Sequence, residues 1–251
     1  MLQSILQWEN PDENQKNFDA QIQSVNESVD IFVLPEMFTT GFTMNPSAVA
    51  ETMKGGTLSW MQKVAKRTEA AICGSVVIEE SGNFYNRLLF IHPSGEIKHY
   101  DKRHLFTLAG EDKVYKAGTQ KLIINYKGFK ICPLVCYDLR FPVFARNTED
   151  YDVLLFVANW PKTRISAWDI LLKARAVENM CYTIGVNRIG SDNNHHEYTG
   201  HSQVVDFLGN YVLEPQKSAG VFIVTLDKSA LDQERNKLGF LNDRDLFTVL
   251  D

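Results

Sequence analysis

Three residues with chemically useful side chains stand at the ends of three predicted strands. Cys136 follows Lys130-Ile131-Cys132-Pro133-Leu134-Val135 and precedes Tyr137-Asp138-Leu139-Arg140-Phe141-Pro142, so its thiol sits where a buried strand gives way to a turn. Glu36 comes directly after Asp30-Ile31-Phe32-Val33-Leu34-Pro35, and Lys102 after Ile97-Lys98-His99-Tyr100-Asp101. A side chain at a strand end is held by a rigid sheet yet opens onto the crevice where α/β folds bind their ligands. Taken singly, each residue has a plain explanation: free cysteine is among the most buried residue types, and a glutamate or lysine beside a strand ordinarily faces water. Taken together they are a nucleophile, a proton carrier and a fixed cation for a developing oxyanion, the minimal set for acyl transfer through a tetrahedral intermediate. A carboxylate flanked by Pro35, Met37 and Phe38 is expected to be partly desolvated, which favours its protonated form and suits it to proton transfer near neutral pH. Histidine is not required.

Positioning these side chains falls to alternating strands and helices. A short strand over 2–6 leads to Asn10-Pro11-Asp12, which starts a helix over 14–25 with Phe18, Ile22 and Val25 at helical spacing. A doubly buried strand over 30–34 precedes Glu36, and Gly55-Gly56-Thr57 introduces a helix through Arg67. Strands over 70–78, 84–92 and 97–100 form a meander through the turns Glu80-Ser81-Gly82-Asn83 and Pro93-Ser94-Gly95. A loop over 107–119 leads to a hairpin over 122–126 and 129–135, turned at Lys127-Gly128, that delivers Cys136. Beyond it come a short helix over 141–150 and a strand over 153–158 that ends at Asn159-Trp160-Pro161. A long helix over 164–180 carries Trp168, Leu171, Leu172, Ala176 and Val177 on one side, with Arg175 near enough to Glu178 to pair. The rest reads as a strand over 182–187 closed by Arg188, a polar loop over 190–197, strands over 202–207, 211–214 and 221–226, a helix over 227–237, and a tail from Gly239 that either packs or dangles. Tight turns join several strand pairs, so the sheets are mixed, and two facing sheets with helices outside each satisfy the pattern in a single α/β domain over 1–251.

Composition narrows the function classes. With 44% hydrophobic residues in 251 the chain buries a large core, and 26 basic against 31 acidic residues give a net charge of −5 without a basic tract, which argues against nucleic acid as a partner. No apolar stretch reaches the length of a membrane span, and the start lacks the marks of a signal peptide. The four cysteines, Cys73, Cys132, Cys136 and Cys181, are scattered without a CxxC pair, as expected of reduced thiols in a cytoplasmic protein.

At this point the chain resembles the nitrilase superfamily of carbon–nitrogen hydrolases, over nearly its whole length. The matching motifs are Leu34-Pro35-Glu36-Met37-Phe38-Thr39-Thr40-Gly41-Phe42, Tyr100-Asp101-Lys102-Arg103-His104-Leu105-Phe106 and Val135-Cys136-Tyr137-Asp138-Leu139-Arg140-Phe141-Pro142, joined by Arg175-Ala176-Val177-Glu178-Asn179 and Gly200-His201-Ser202. The resemblance implies a four-layer αββα sandwich in which Cys136 is the nucleophile, Glu36 the general base and Lys102 the oxyanion stabiliser with the Tyr137 backbone N–H. It further implies Glu111, matched by its spacing to Gly118, as a second active-site glutamate, with no cofactor, no metal and a homodimeric assembly. The Cys-Tyr-Asp-Leu-Arg-Phe wording and Asn159-Trp160-Pro161 are most similar to the omega-amidase branch, which hydrolyses the side-chain amides of 2-oxoglutaramate and 2-oxosuccinamate through a cysteinyl thioester. Such a substrate calls for a cation at its distal carboxylate. Arg188 is a candidate, with Arg140 and Arg164 comparable, and Phe42 and Trp160 are candidates to line the pocket.

Other readings compete. A papain-like pairing of Cys136 with His104, His195, His196 or His201 lacks its local signatures, and a zinc site on His195, His196 and Cys132 or Cys136 lacks HExxH or CxxC support. Another small linear amide or a carbamoyl substrate fits the same motifs, and a catalytically silent binding protein fits the fold but not the intact Glu36, Lys102 and Cys136.

Overall fold

The structure, a computed structural model, describes residues 1–249. Side-chain alternation along its strands sets the layering. In the strand Ala71–Glu80, Ala71 and Cys73 turn to one hydrophobic cluster while Ile72, Val76 and Ile78 turn to another. The first helix, α1 (Pro11–Gln23), has Pro11 in its first turn and Asn10 accepting the Glu13 N–H as its cap. It is followed by β1 (Ile31–Val33), α2 (Gly56–Thr68), β2 (Ala71–Glu80), β3 (Asn83–Ile91) and β4 (Ile97–Asp101). These strands make a four-stranded sheet in sequence order, parallel between β1 and β2 and antiparallel thereafter. On its outer face Phe18 and Ile22 of α1 and Leu58, Met61 and Val64 of α2 pack against Phe32, Ile72, Val76 and Leu89.

The second half supplies β5 (Ile124–Tyr126), β6 (Phe129–Val135), β7 (Val153–Ala158), α3 (Ile165–Asn179), β8 (Tyr182–Asn187), β9 (Ser202–Val205), β10 (Tyr211–Gln216) and α4 (Lys228–Leu238). Its six strands run in the order β10-β9-β8-β7-β6-β5, with β6, β7 and β8 parallel and the rest antiparallel. Every residue of β7 is buried, because α3 covers one face and the first sheet the other. The layers are therefore helix, sheet, sheet, helix, an αββα sandwich.

Local details depart from the sequence expectations. The helix expected over 141–150 is confined to Pro142–Ala145, because the Asn147 amide bonds both the N–H and the C=O of Tyr151 and closes a loop there. Of the strand expected over 221–226 only Val221 lies in a paired strand, Gly220–Val221 against Leu2–Gln3, and Phe222 exchanges backbone hydrogen bonds with Met1. The polar loop over 190–197 contains a ribbon, Ile189–Ser191 against Glu197–Thr199, whose turn is tied by Asp192 accepting the N–H groups of Asn194 and His196. Val177 is 48% exposed and does not share the buried side of α3 with Trp168, Leu172 and Ala176. The tail from Gly239 begins with one short turn, Phe240–Asp243, and its last two residues, Leu250 and Asp251, lie outside the described residues.

Contact between α3 and the sheet depends on Gly185 of β8, where a Cβ would lie 2.5 Å from Leu172 Cδ1 and 2.6 Å from Trp168 Cζ2. Gly185→Ala is expected to lose about 1–3 kcal/mol of stability through overpacking, read as a lower urea midpoint. An unchanged midpoint would show that α3 yields freely.

Candidate active site

The chain reverses sharply at Cys136, which has φ of +45° and opens the turn Cys136–Arg140 at the end of β6. A non-glycine residue in the left-handed region persists only where its surroundings over-determine it. Here buried Asp138 does so: Oδ2 accepts the Val135 N–H at 3.0 Å and the Tyr100 hydroxyl at 2.8 Å, and Oδ1 accepts the His104 N–H at 3.0 Å. His104 Nδ1 lies 2.8 Å from the same Oδ1, and its ring stacks on Phe141. From α3, Arg175 donates Nε and Nη2 to the Leu139 carbonyl at 3.1 and 2.7 Å. Asp138, with Arg175 on the Leu139 carbonyl, is thus the clamp that holds the turn at the thiol.

Glu36 sits in the turn after β1, fully buried, next to Met37 with φ of +41°. Its Oε1 accepts Lys102 Nζ at 2.9 Å and Asn86 Nδ2 at 2.8 Å, and its Oε2 accepts the Asn159 backbone N–H at 2.8 Å. Lys102 Nζ also donates to Glu111 at 3.0 Å (Oε1) and 2.9 Å (Oε2), and Glu111 Oε2 accepts the Phe106 N–H at 2.6 Å. The polarity of this network follows from the backbone. The Met37 N–H donates to Ser75 Oγ, which donates to Asn86 Oδ1, each at 2.8 Å, so Asn86 must present its NH₂ group to Glu36 and, at 3.3 Å, to Glu111. Of the four charged or reactive groups named in the sequence, Glu36, Lys102 and Cys136 line one cavity, and Glu111 is bonded to Lys102 beside them.

Burial and charge act on them in opposite directions. Burial by itself would lower the Lys102 pKa, but the facing Glu111 and Glu36 carboxylates overcome it and hold the amine above the usual lysine value, a permanent cation. Burial raises the Glu111 pKa against the pull of Lys102. Burial also pushes the Cys136 thiol well above its usual value, reinforced by the Glu36 carboxylate facing it and opposed by Lys102. The resting sulfur is therefore a neutral thiol, and attack on an acyl carbon requires proton transfer to the adjacent carboxylate.

The cavity, about 640 Å³, is lined by Phe42, Tyr137 and Trp160 as expected and by Trp8, Phe106 and Tyr198. Arg188 is not on its wall. That side chain is fully buried, with Nη2 donating to the carbonyls of Leu6 and Ser191 and its guanidinium 4.5 Å from the Tyr198 ring, because the chain dips inward after β8. The two arginines on the wall are Arg140, over the Trp160 ring, and Arg164, over the Phe106 ring. Sequence reasoning gave Asn86 no role and read Asn159 only as part of the Asn159-Trp160-Pro161 cluster. Asn86 occupies the same register of β3 as the core residues Leu88 and Phe90, and an amide in a core-facing position was the available signal. Of the histidines, His104 is committed to Asp138 and His201 to Asp169, and His196 lines the cavity, but the groups acting on the sulfur are Glu36, Lys102 and the Asn159 N–H. Among the described residues no three His, Cys, Asp or Glu side chains gather as a metal-binding group.

Comparison with known proteins shows the family and the fold. The family model described as carbon-nitrogen hydrolase matches residues 3–236. The chain is 42% identical to omega-amidase YafV of Yersinia enterocolitica, covering 100% of this chain and 97% of the relative, and 33% identical to 2-oxoglutaramate amidase of Bacillus subtilis, covering 98% and 97%. A crystal structure of XC1258 from Xanthomonas campestris, a CN-hydrolase superfamily protein with an arsenic adduct in its active site, superposes with a TM-score of 0.97 at 41% identity, covering 99% and 97% of the two chains. A carbon-nitrogen hydrolase from Helicobacter pylori, 18% identical, shares the fold with a TM-score of 0.86 over 97% and 93%.

A raised thiol pKa means that the thiolate fraction grows with pH until that pKa is passed. Iodoacetamide should label Cys136 ahead of the fully buried Cys73, Cys132 and Cys181, at a rate that climbs about tenfold per pH unit and still rises at about pH 9. Peptide mapping over a pH series checks this, and a rate that levels off below about pH 7 would contradict a neutral resting thiol.

Proposed function

Because the chain belongs to the carbon-nitrogen hydrolase family, we propose that it is an omega-amidase, hydrolysing the side-chain amide of 2-oxo acid amides such as 2-oxoglutaramate and 2-oxosuccinamate to the 2-oxo dicarboxylate and ammonia. The observation that carries this reading is the meeting of a neutral thiol, a carboxylate facing it and a buried ammonium at the end of a cavity whose wall bears Arg140 and Arg164. Cys136 attacks the amide carbon as its proton passes to Glu36, and the carbonyl electrons move onto oxygen, held by Lys102 and the Tyr137 N–H. The intermediate collapses with cleavage of the C–N bond, and Glu36 returns the proton to the departing nitrogen, which leaves as ammonia. A thioester remains. Water then gives a proton to Glu36 as its oxygen bonds the acyl carbon, the C–S bond breaks, and the sulfur recovers the proton. Glu111 holds Lys102 by both carboxylate oxygens and so fixes the oxyanion donor.

The distal carboxylate of the substrate is matched by the cations of Arg140 and Arg164. Free cysteines throughout support a cytoplasmic setting, and the exposed apolar Ile170 and Val177 on α3 support pairing of subunits in a homodimer.

Ammonia release is to be measured for 2-oxoglutaramate, 2-oxosuccinamate, glutamine, asparagine and simple aliphatic amides, with the oxo acid amides expected to give the highest kcat/KM. Cys136→Ala should abolish release, and Glu36→Gln should lower kcat by about 10²–10⁴-fold. Arg140→Gln or Arg164→Gln should raise KM for 2-oxoglutaramate by about ten- to a hundredfold while sparing an uncharged amide. Turnover persisting in Cys136→Ala, or glutamine used as well as the oxo acid amides, would overturn the assignment.

A further inference from the structure

Asn159 directly follows the last residue of β7 and lines the cavity beside Cys136. Its carboxamide has one orientation. Nδ2 donates to the backbone carbonyl of Glu36 at 2.7 Å, and a carbonyl only accepts, so the nitrogen end is committed there and Oδ1 points elsewhere. A second, long contact of 3.4 Å runs from Nδ2 to Glu36 Oε2, which already takes the Asn159 backbone N–H at 2.8 Å. Oδ1 is buried and has no hydrogen-bond partner among the described residues, although Asn159 as a whole is only 5% exposed. A buried acceptor without a donor is disfavoured, and in a residue that lines the cavity it marks a place for a donor that arrives with the substrate.

The position of Asn159 says which donor. Its backbone faces the Cys136 sulfur as well as Glu36, so it stands on the carboxylate side of the thiol. In the tetrahedral intermediate the oxyanion is drawn to Lys102, and the leaving group must lie near Glu36 to receive its proton. A primary carboxamide carries two N–H bonds at that position, whereas an ester carries an oxygen with only lone pairs. Resting on the amidase reading above, we propose that Asn159 Oδ1 accepts a hydrogen bond from the carboxamide nitrogen of the substrate, making Asn159 the residue that selects amides over esters. As the nitrogen gains a proton its N–H groups become stronger donors, so the bond tightens toward the transition state.

The test compares wild type, Asn159→Ala and Asn159→Asp on 2-oxoglutaramate and on the methyl ester of the same side-chain carboxyl. Asn159→Ala should lower the amide-to-ester ratio of kcat/KM by about tenfold or more, the value of one hydrogen bond in a specificity ratio. Asn159→Asp keeps an oxygen acceptor in the same place and should retain most of the ratio even at a lower absolute rate. If Asn159→Ala does not fold, Asn159→Ser, a less apolar truncation that likewise leaves the acceptor position empty, carries the same expectation. Parallel loss of amide and ester turnover would overturn the proposal, since Asn159 would then act only by holding Glu36. Failure of the wild type to release ammonia from 2-oxoglutaramate would sink the omega-amidase reading instead, and propionamide with methyl propionate then serves as the test pair under the same criterion.

Discussion

An ammonium enclosed by two carboxylates, with none of the three exposed to water, is the constraint on which the rest of this protein depends. Lys102, Glu36 and Glu111 are each almost fully buried, and Lys102 Nζ contacts both acids at 2.9 Å. Removing such charges from water costs several kcal/mol per ion, and mutual attraction offsets that only when the remaining lone pairs and protons are also satisfied. The fold supplies those partners from separate segments: Asn86 from β3, the Asn159 N–H from the end of β7 and the Phe106 N–H from the loop after β4. Two of these donors are remote in sequence, Asn86 by 50 residues and Asn159 by 123 from Glu36, while Phe106 lies five residues from Glu111. The sandwich must be assembled before the charged cluster is tolerable, which ties the stability of the site to the packing of both sheets.

The same low-dielectric enclosure shapes the reactivity of the sulfur. Desolvation and the neighbouring carboxylate keep Cys136 protonated, and the pull of Lys102 does not reverse this. In a water-filled cleft the opposing charges would be screened and the thiol would titrate near its ordinary value. Here the thiolate is stable only while its proton is being taken up next door, so nucleophile and base act as a unit. The elbow at Cys136 shows the matching mechanical requirement: a left-handed residue is held in place by Asp138 and Arg175, two buried charged side chains that bond backbone groups within three residues of it.

Several features were legible in the chain before folding was considered. Doubly apolar runs ending at Glu36 and Cys136 announce buried parallel strands, because only a strand covered on both faces tolerates apolar residues at every position. Helix limits at Asn10-Pro11 and at Asp227 follow from capping chemistry confined to a few neighbouring residues. Other features were not legible. The break of the expected helix after Ala145 comes from the Asn147 amide reaching Tyr151, and the partner of residues 220–221 is a segment at the opposite end of the chain. Arg188 stands at a strand end just as Glu36 does, yet it points into the core between the carbonyls of Leu6 and Ser191.

By itself the sequence determined the reactive residue types, their places after apolar strands and the αββα layering, since periodicity, capping and turn chemistry act over a few residues. Only the tertiary structure decided which arginines face the cavity, which way the amides of Asn86 and Asn159 point, and that Lys102 remains charged in the interior. Those outcomes depend on the direction of a side chain and on the charges that surround it. Directions and surroundings come from elements far apart in the chain, so no local pattern encodes them.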